Sequence, residues 1–156
     1  MRYQAAMSFA LFGGLCALLA TAAIIDARTQ RLPDGLNAAI AALGFAFTVI
    51  TDRPLSAAFL GAAAGYGTIW CVNALYRARR GHDGVGMGDA KLLAAGGVWV
   101  GWFGVPFVVL IGSSLALAVL GFRTLRGQQT AATDRIAFGP YLALAVATVV
   151  AIQFWA

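Results

Sequence analysis

The chain has 156 residues, 61% hydrophobic and only 11% charged, with a mean hydropathy of +0.81. A soluble domain carries about 25% charged residues, so this composition excludes a soluble globular fold and points to an all-α polytopic membrane protein. The formal charge of +5 does not signal nucleic acid, because the basic residues form short clusters between apolar runs rather than a stripe along one face. Cys16 and Cys71 each lie inside an apolar run, with no CxxC and no Cys/His cluster, so no zinc site, disulfide framework or other cofactor is implied.

Six apolar stretches follow in order: 5–25, 36–51, 55–76, 89–103, 106–122 and 138–155. Crossing a hydrocarbon core of about 30 Å takes about 20 residues, or about 17 at the short end, so the second, fourth and fifth are short. The first is long for a signal-peptide core and runs straight into Asp26, so it is expected to stay as a span. A tight turn at Gly104-Val105-Pro106 is expected to close a hairpin between the fourth and fifth. Gly61, Gly65 and Gly67 in the third stretch, and Gly97 and Gly101 in the fourth, have the small-residue spacing of closely packed membrane helices. No repeat or linker is evident, so residues 1–156 are expected to form one membrane-embedded domain.

Orientation follows from charge. Arg28 and Arg31 lie after the first stretch. Arg77, Arg79, Arg80 and Lys91 flank the loop after the third, and Arg123, Arg126 and Arg135 the loop after the fifth. That puts nine of the eleven Lys and Arg residues on one side, against Arg2 and Arg53 on the other. By the positive-inside rule the first, third and fifth loops are cytoplasmic and both termini lie outside.

All six acidic residues are Asp. Asp26 closes the first stretch and Asp89 opens the fourth, so the topology puts both on the cytoplasmic side at similar depth. Two carboxylates in a partly dry site cannot both ionise easily. One keeps a proton, and the pair can then activate a water and protonate a leaving amine. The plainer alternatives are a helix N-cap for Asp89 and an interface residue for Asp26, where the helix dipole disfavours a carboxylate. Asp34 reads as a cap or turn residue, Asp52 as a turn residue, and Asp83 and Asp134 as solvated loop residues. Before Asp89 runs Gly84-Val85-Gly86-Met87-Gly88, whose glycines permit close backbone approach and unusual dihedrals. That suits a peptide lying against the acid, and equally a flexible loop. No phosphate-loop pattern is present.

Gly86-Met87-Gly88-Asp89-Ala90-Lys91 resembles the GxGDxK signature of type IV prepilin peptidases, and the likeness continues through Leu92-Leu93-Ala94-Ala95, Gly97, Trp99 and Gly101. Asp26, followed after five residues by Leu32-Pro33-Asp34 and then Leu36-Asn37, resembles the family's first loop. Ile136-Ala137-Phe138-Gly139-Pro140 is similar to its hydrophobic-x-Phe-Gly-Pro element, with Ala137 where Pro often stands. The three matches are in order and span most of the chain.

The resemblance implies a membrane aspartic peptidase of GxGD architecture in the bacterial inner membrane. Asp26 and Asp89 would be its catalytic pair, with Gly86, Gly88 and Lys91 in supporting or substrate-binding roles and no metal. It further implies cleavage of the basic leader of prepilins or pseudopilins at the cytoplasmic face. The longer members carry a cysteine-bearing segment and also N-methylate their product. Neither that segment nor CxxC pairs occur here, so peptidase action alone is expected.

Lys91 either tunes Asp89 or contacts substrate, or it snorkels to the interface. Arg77, Arg79 and Arg80 match the leader in sign and are expected to anchor the chain to anionic lipid instead. His82 has no cluster partner. Presenilin-type GxGD proteases place Tyr-Asp at the first acid and Pro-Ala-Leu near the end, whereas here Ile25 precedes Asp26 and Tyr141 follows Pro140. A non-enzymatic ion or proton carrier would hold its acids near the midplane on broken helices.

Overall fold

The computed structural model describes residues 2–81, 84–127 and 137–155. Among these the fold is all-helical: α1 (Arg2–Thr29), α2 (Asp34–Ile50), α3 (Leu55–Arg80), α4 (Met87–Leu125) and α5 (Gly139–Trp155). Three of these, α1 from Ala6 onward, α3 and α4, are long and apolar enough to cross a bilayer. The 17-residue helices α2 and α5 reach about 26 Å at about 1.5 Å per residue. Helices are the expected solution, because a chain in hydrocarbon must satisfy its backbone internally. Pro33 and Pro54 stand at the N-caps of α2 and α3, where a missing N–H costs nothing. α3 stops at Gly81, which takes a left-handed φ of 79° and returns its N–H to Arg77 O at 2.9 Å.

The 39 residues of α4 would extend about 58 Å if straight, nearly twice the hydrocarbon thickness of about 30 Å. They do not run straight. Gly101 breaks the helix with φ 68° and ψ 173°, a combination open essentially to glycine alone. The reversal thus comes earlier than the expected turn at Gly104-Val105-Pro106, whose residues are helical. Proline is locked at negative φ and cannot supply the dihedral that the break needs. Gly104 serves the fold-back differently, since a Cβ there would lie 2.5 Å from Val100 Cβ. The Val100 carbonyl beside the break accepts a hydrogen bond from Gln153 Nε2 at 3.0 Å.

Helix α5 shows how the two halves of α4 run. Gly96 packs on Val146, and Val100 meets Gln153, so α5 advances with the first half. Gly104 meets Gln153 and Gly112 packs on Leu142, so α5 opposes the second half. The halves are therefore antiparallel, and they coincide with the fourth and fifth apolar stretches of the sequence.

Packing is closest between α3 and α4. Gly61 lies against the Gly97 carbonyl and Gly65 against the Leu93 carbonyl, with no room for a Cβ at either. Their small-residue spacing thus serves helix contact. Gly67 has open space around it, and Gly101 makes the break rather than a contact. Trp99 is buried at the centre, where its Nε1 donates to Ile40 O at 2.9 Å and its ring stacks on Phe47 at 5.1 Å. Gly44 leaves the space for it, because a Cβ would come within 2.8 Å of that nitrogen. Phe59, Trp70, Phe103, Phe107 and Leu117 instead point outward, as a lipid-facing surface requires.

Candidate functional site

At one end of the bundle, the C-termini of α1 and α3 meet the N-termini of α2, α4 and α5. Asp26 sits in the last turn of α1 and is only 5% exposed. Its Oδ2 accepts the backbone N–H of Gly139, the first residue of α5, at 3.0 Å. The carboxylate is misplaced for its own helix dipole but well placed for that of α5. This contact explains the Phe138-Gly139-Pro140 sequence. A Cβ at Gly139 would lie 2.6 Å from Asp26 Oδ2, and Pro140 needs no hydrogen bond in a first turn.

Asp89 lies in the first turn of α4, 8% exposed. It is not the N-cap, because Gly86 holds that position and accepts the Asp89 N–H at 3.1 Å. The capping alternative for Asp89 is therefore not realised. Asp26 and Asp89 lie near enough for their charges to repel, so the structure brings together two acids 63 positions apart in the chain. A Cβ on Gly86 would lie 3.4 Å from Asp89 Oδ2, and one on Gly88 would lie 3.2 Å from Leu32 Cβ. Gly86 thus borders the carboxylate, while Gly88 admits the first loop.

Lys91 Nζ pairs with Asp34 Oδ1 at 2.6 Å, tying the start of α4 to the start of α2, with both side chains well exposed. Asp34 is the first residue of α2 and makes no capping bond, since Pro33 is the N-cap. His82, Asp83, Asp134, Arg135 and Ile136 lie outside the described residues.

Two amides matter here: Asn73, which no motif included, and Asn37, which entered only at the end of the first-loop likeness. Asn73 on α3 is 2% exposed and clamps the glycine-rich loop. Its Oδ1 accepts the N–H of Gly84 at 3.2 Å and of Val85 at 2.9 Å, and its Nδ2 donates to Val85 O at 2.8 Å. Tyr76 packs one turn on, its ring 3.0 Å from where a Gly84 Cβ would sit. Asn37 in α2 is 5% exposed, and neither side-chain polar atom has a partner among the described residues. The signal for both was available, because an amide inside an apolar run is costly and needs a reason.

A family model described as the type IV leader peptidase family matches residues 14–122. Among curated proteins, a prepilin leader peptidase/N-methyltransferase of Burkholderia pseudomallei (strain 1026b) is 41% identical over 149 residues, covering 89% of this chain and 48% of its own length. One from Escherichia coli (strain K12) is 42% identical over 138 residues, covering 86% and 59%. One from Neisseria gonorrhoeae is 37% identical over 144 residues, covering 90% and 48%. The chain spans about half the length of the curated relatives it matches. No solved structure matches.

Proposed function

Because the chain belongs to the type IV leader peptidase family, we propose that it is a membrane aspartic endopeptidase that removes the leader of prepilins or pseudopilins, with Asp26 and Asp89 as its catalytic pair. The observation that carries this reading is the meeting of the two buried acids at one end of a multi-pass helical bundle. Their position also favours a peptidase over an ion or proton carrier, which would hold its acids near the midplane on broken helices.

The chemistry needs one proton and one negative charge shared between the carboxylates. The ionised acid takes a proton from a water as the water oxygen attacks the scissile carbonyl, giving a tetrahedral diol. The protonated acid gives its proton to the carbonyl oxygen; the acid that took the water's proton then passes it to the leaving nitrogen, while the other recovers a proton from a diol hydroxyl. Collapse of the diol breaks the C–N bond and releases the amine and the new carboxyl group. The Gly139 N–H fixes how Asp26 is presented, and Asn73 fixes the loop that delivers Asp89. Gly86 leaves a side of Asp89 free of side chain, where an extended peptide can lie. Lys91 acts at a distance by bracing two helix starts.

Two finer points belong to the same reading. The broken α4 counts as two spans, giving six in all within one membrane-embedded peptidase domain. Among the described residues, eight of ten basic residues lie toward the end that holds the acids, which supports a cytoplasmic site in the inner membrane with both termini outside.

The test is cleavage of a co-expressed prepilin by wild type, Asp26→Asn and Asp89→Asn, with membrane insertion checked for each. Leader removal by wild type alone upholds the pair. Normal cleavage by either inserted variant would show that its acid is dispensable and that the mechanism is wrong.

A further inference from the structure

The opposite end of the bundle holds a cavity of about 370 Å³ whose lining includes Thr48, Arg53, Ala57, Trp99, Gly101 and Gln153. No step proposed above uses it. Among the described residues Arg53 is its one cation. It sits in the link between α2 and α3, held by its backbone N–H on Thr48 O at 3.0 Å, with its guanidinium 5.0 Å from the centre of the Phe47 ring. No carboxylate among the described residues pairs with it. Arg53 is itself exposed where it lines the cavity, so its guanidinium is open to a ligand arriving from the bilayer surface.

Further donors adjoin it. α3 starts immediately after Arg53, and its N-cap, Pro54, offers no side-chain cap; the Ala57 N–H turns back to Pro54 O at 2.9 Å, which leaves the N–H groups of Leu55 and Ser56 at a positive helix end without a partner among the described residues. Gln153 spends one N–H on Val100 O and keeps a second. The Thr48 hydroxyl donates to Gly44 O at 2.9 Å and can still accept. The remaining wall is apolar, and the neighbouring Leu55, Phe59, Trp102 and Phe103 are exposed as lipid-facing residues are.

We propose that this cavity binds the phosphate-bearing headgroup of an anionic phospholipid from the leaflet at that end, with Arg53 and the start of α3 on the phosphate. The shared chemistry is a phosphate monoanion. The greasy rim favours lipid over a soluble ion, because only a lipid gains from it. This site stands independently of the peptidase reading.

The experiment uses the full chain in uncharged detergent, with native mass spectrometry and thermal melting as readouts. Its probes are dioleoylphosphatidylglycerol, dioleoylphosphatidylcholine and inorganic phosphate. Saturable retention of phosphatidylglycerol, with a raised melting temperature and little response to the other two, is expected. Arg53→Gln should weaken phosphatidylglycerol binding about tenfold or more, the scale of one charge-assisted hydrogen bond. Ala57→Leu fills the cavity without touching charge and should weaken it comparably, which keeps the test decisive if Arg53→Gln folds poorly. Arg126→Gln removes a cation stacked on Phe122 near the other end and should leave binding intact. Equal retention of phosphatidylcholine, wild-type binding by Ala57→Leu, or an equal loss with Arg126→Gln would overturn the site. Displacement of phosphatidylglycerol by inorganic phosphate at matching concentration would overturn the lipid assignment in favour of a soluble anion.

Discussion

The two ends of the bundle treat backbone irregularity in opposite ways. At the acid end, buried side chains from distant helices bind the irregular backbone: Asn73 holds the loop at Gly84 and Val85, and Asp26 holds the start of α5. At the other end, α4 is broken at Gly101 and α3 starts uncapped. Gln153 answers one freed carbonyl, and Arg53 lines a cavity with no carboxylate partner among the described residues. The difference separates a site that must hold two acids in register from one with room for a guest. Preorganisation needs satisfied, low-entropy contacts, whereas a binding cavity needs polar groups still lacking partners.

The sharpest way to break that contrast is at the acids. Asp26→Asn and Asp89→Asn should each lower leader cleavage on the order of a thousandfold or more, read as single-turnover rates on purified protein. Wild type should show a pH–rate profile with one rising and one falling limb, because the pair works only with a single shared proton. Loss of both limbs' dependence on the acids would remove the dyad from the mechanism.

Next in size is Gly139→Val. It drives a side chain into the Asp26 carboxylate and should cost about a hundredfold in rate, with a modest fall in melting temperature from overpacking. A variant that cleaves normally would mean that the Gly139 contact does not orient Asp26.

Asn73→Leu comes third. It orphans two loop N–H groups and one carbonyl, a cost of about 1–3 kcal/mol. Hydrogen exchange at Gly84 and Val85 should quicken and kcat should fall about tenfold, with KM changing less. Unchanged exchange with a lowered kcat would assign Asn73 some role other than clamping the loop.

The smallest effect is expected from the Lys91–Asp34 pair. Both side chains are well exposed, so a double-mutant cycle with Lys91→Met and Asp34→Asn should give less than about 1 kcal/mol, shrinking in high salt. A larger coupling would make the brace part of the site itself.

Much of the acid end was legible in the sequence. Asp26 and Asp89 stand out because carboxylates are rare in so apolar a chain, and charge counting put both on one face. Gly139 was visible as part of a motif, but its reason was not, since the collision it avoids involves a residue 113 positions away. Lys91 was expected to tune Asp89, contact substrate or reach the interface, and its ion-pair partner was not foreseen, because sequence neighbours suggest nearby partners. Its actual partner is 57 positions distant. The break in α4 was anticipated as a turn but put at Gly104-Val105-Pro106, because proline is a strong local signal. Whether a glycine takes positive φ is decided by the packing on either side of it.

By itself, the sequence determined the apolar runs, their helical state, the asymmetry of charge and the identity of the two acids. These follow from local composition and from the rule that backbone in hydrocarbon must bond to itself. Only the tertiary structure decided that Asp26 meets Asp89, that Asn73 clamps the loop, that Gly101 rather than Pro106 turns the chain, and that Arg53 lines a cavity. Those outcomes depend on which helices lie side by side, and contacts between residues far apart in a chain are not encoded in any one stretch of it.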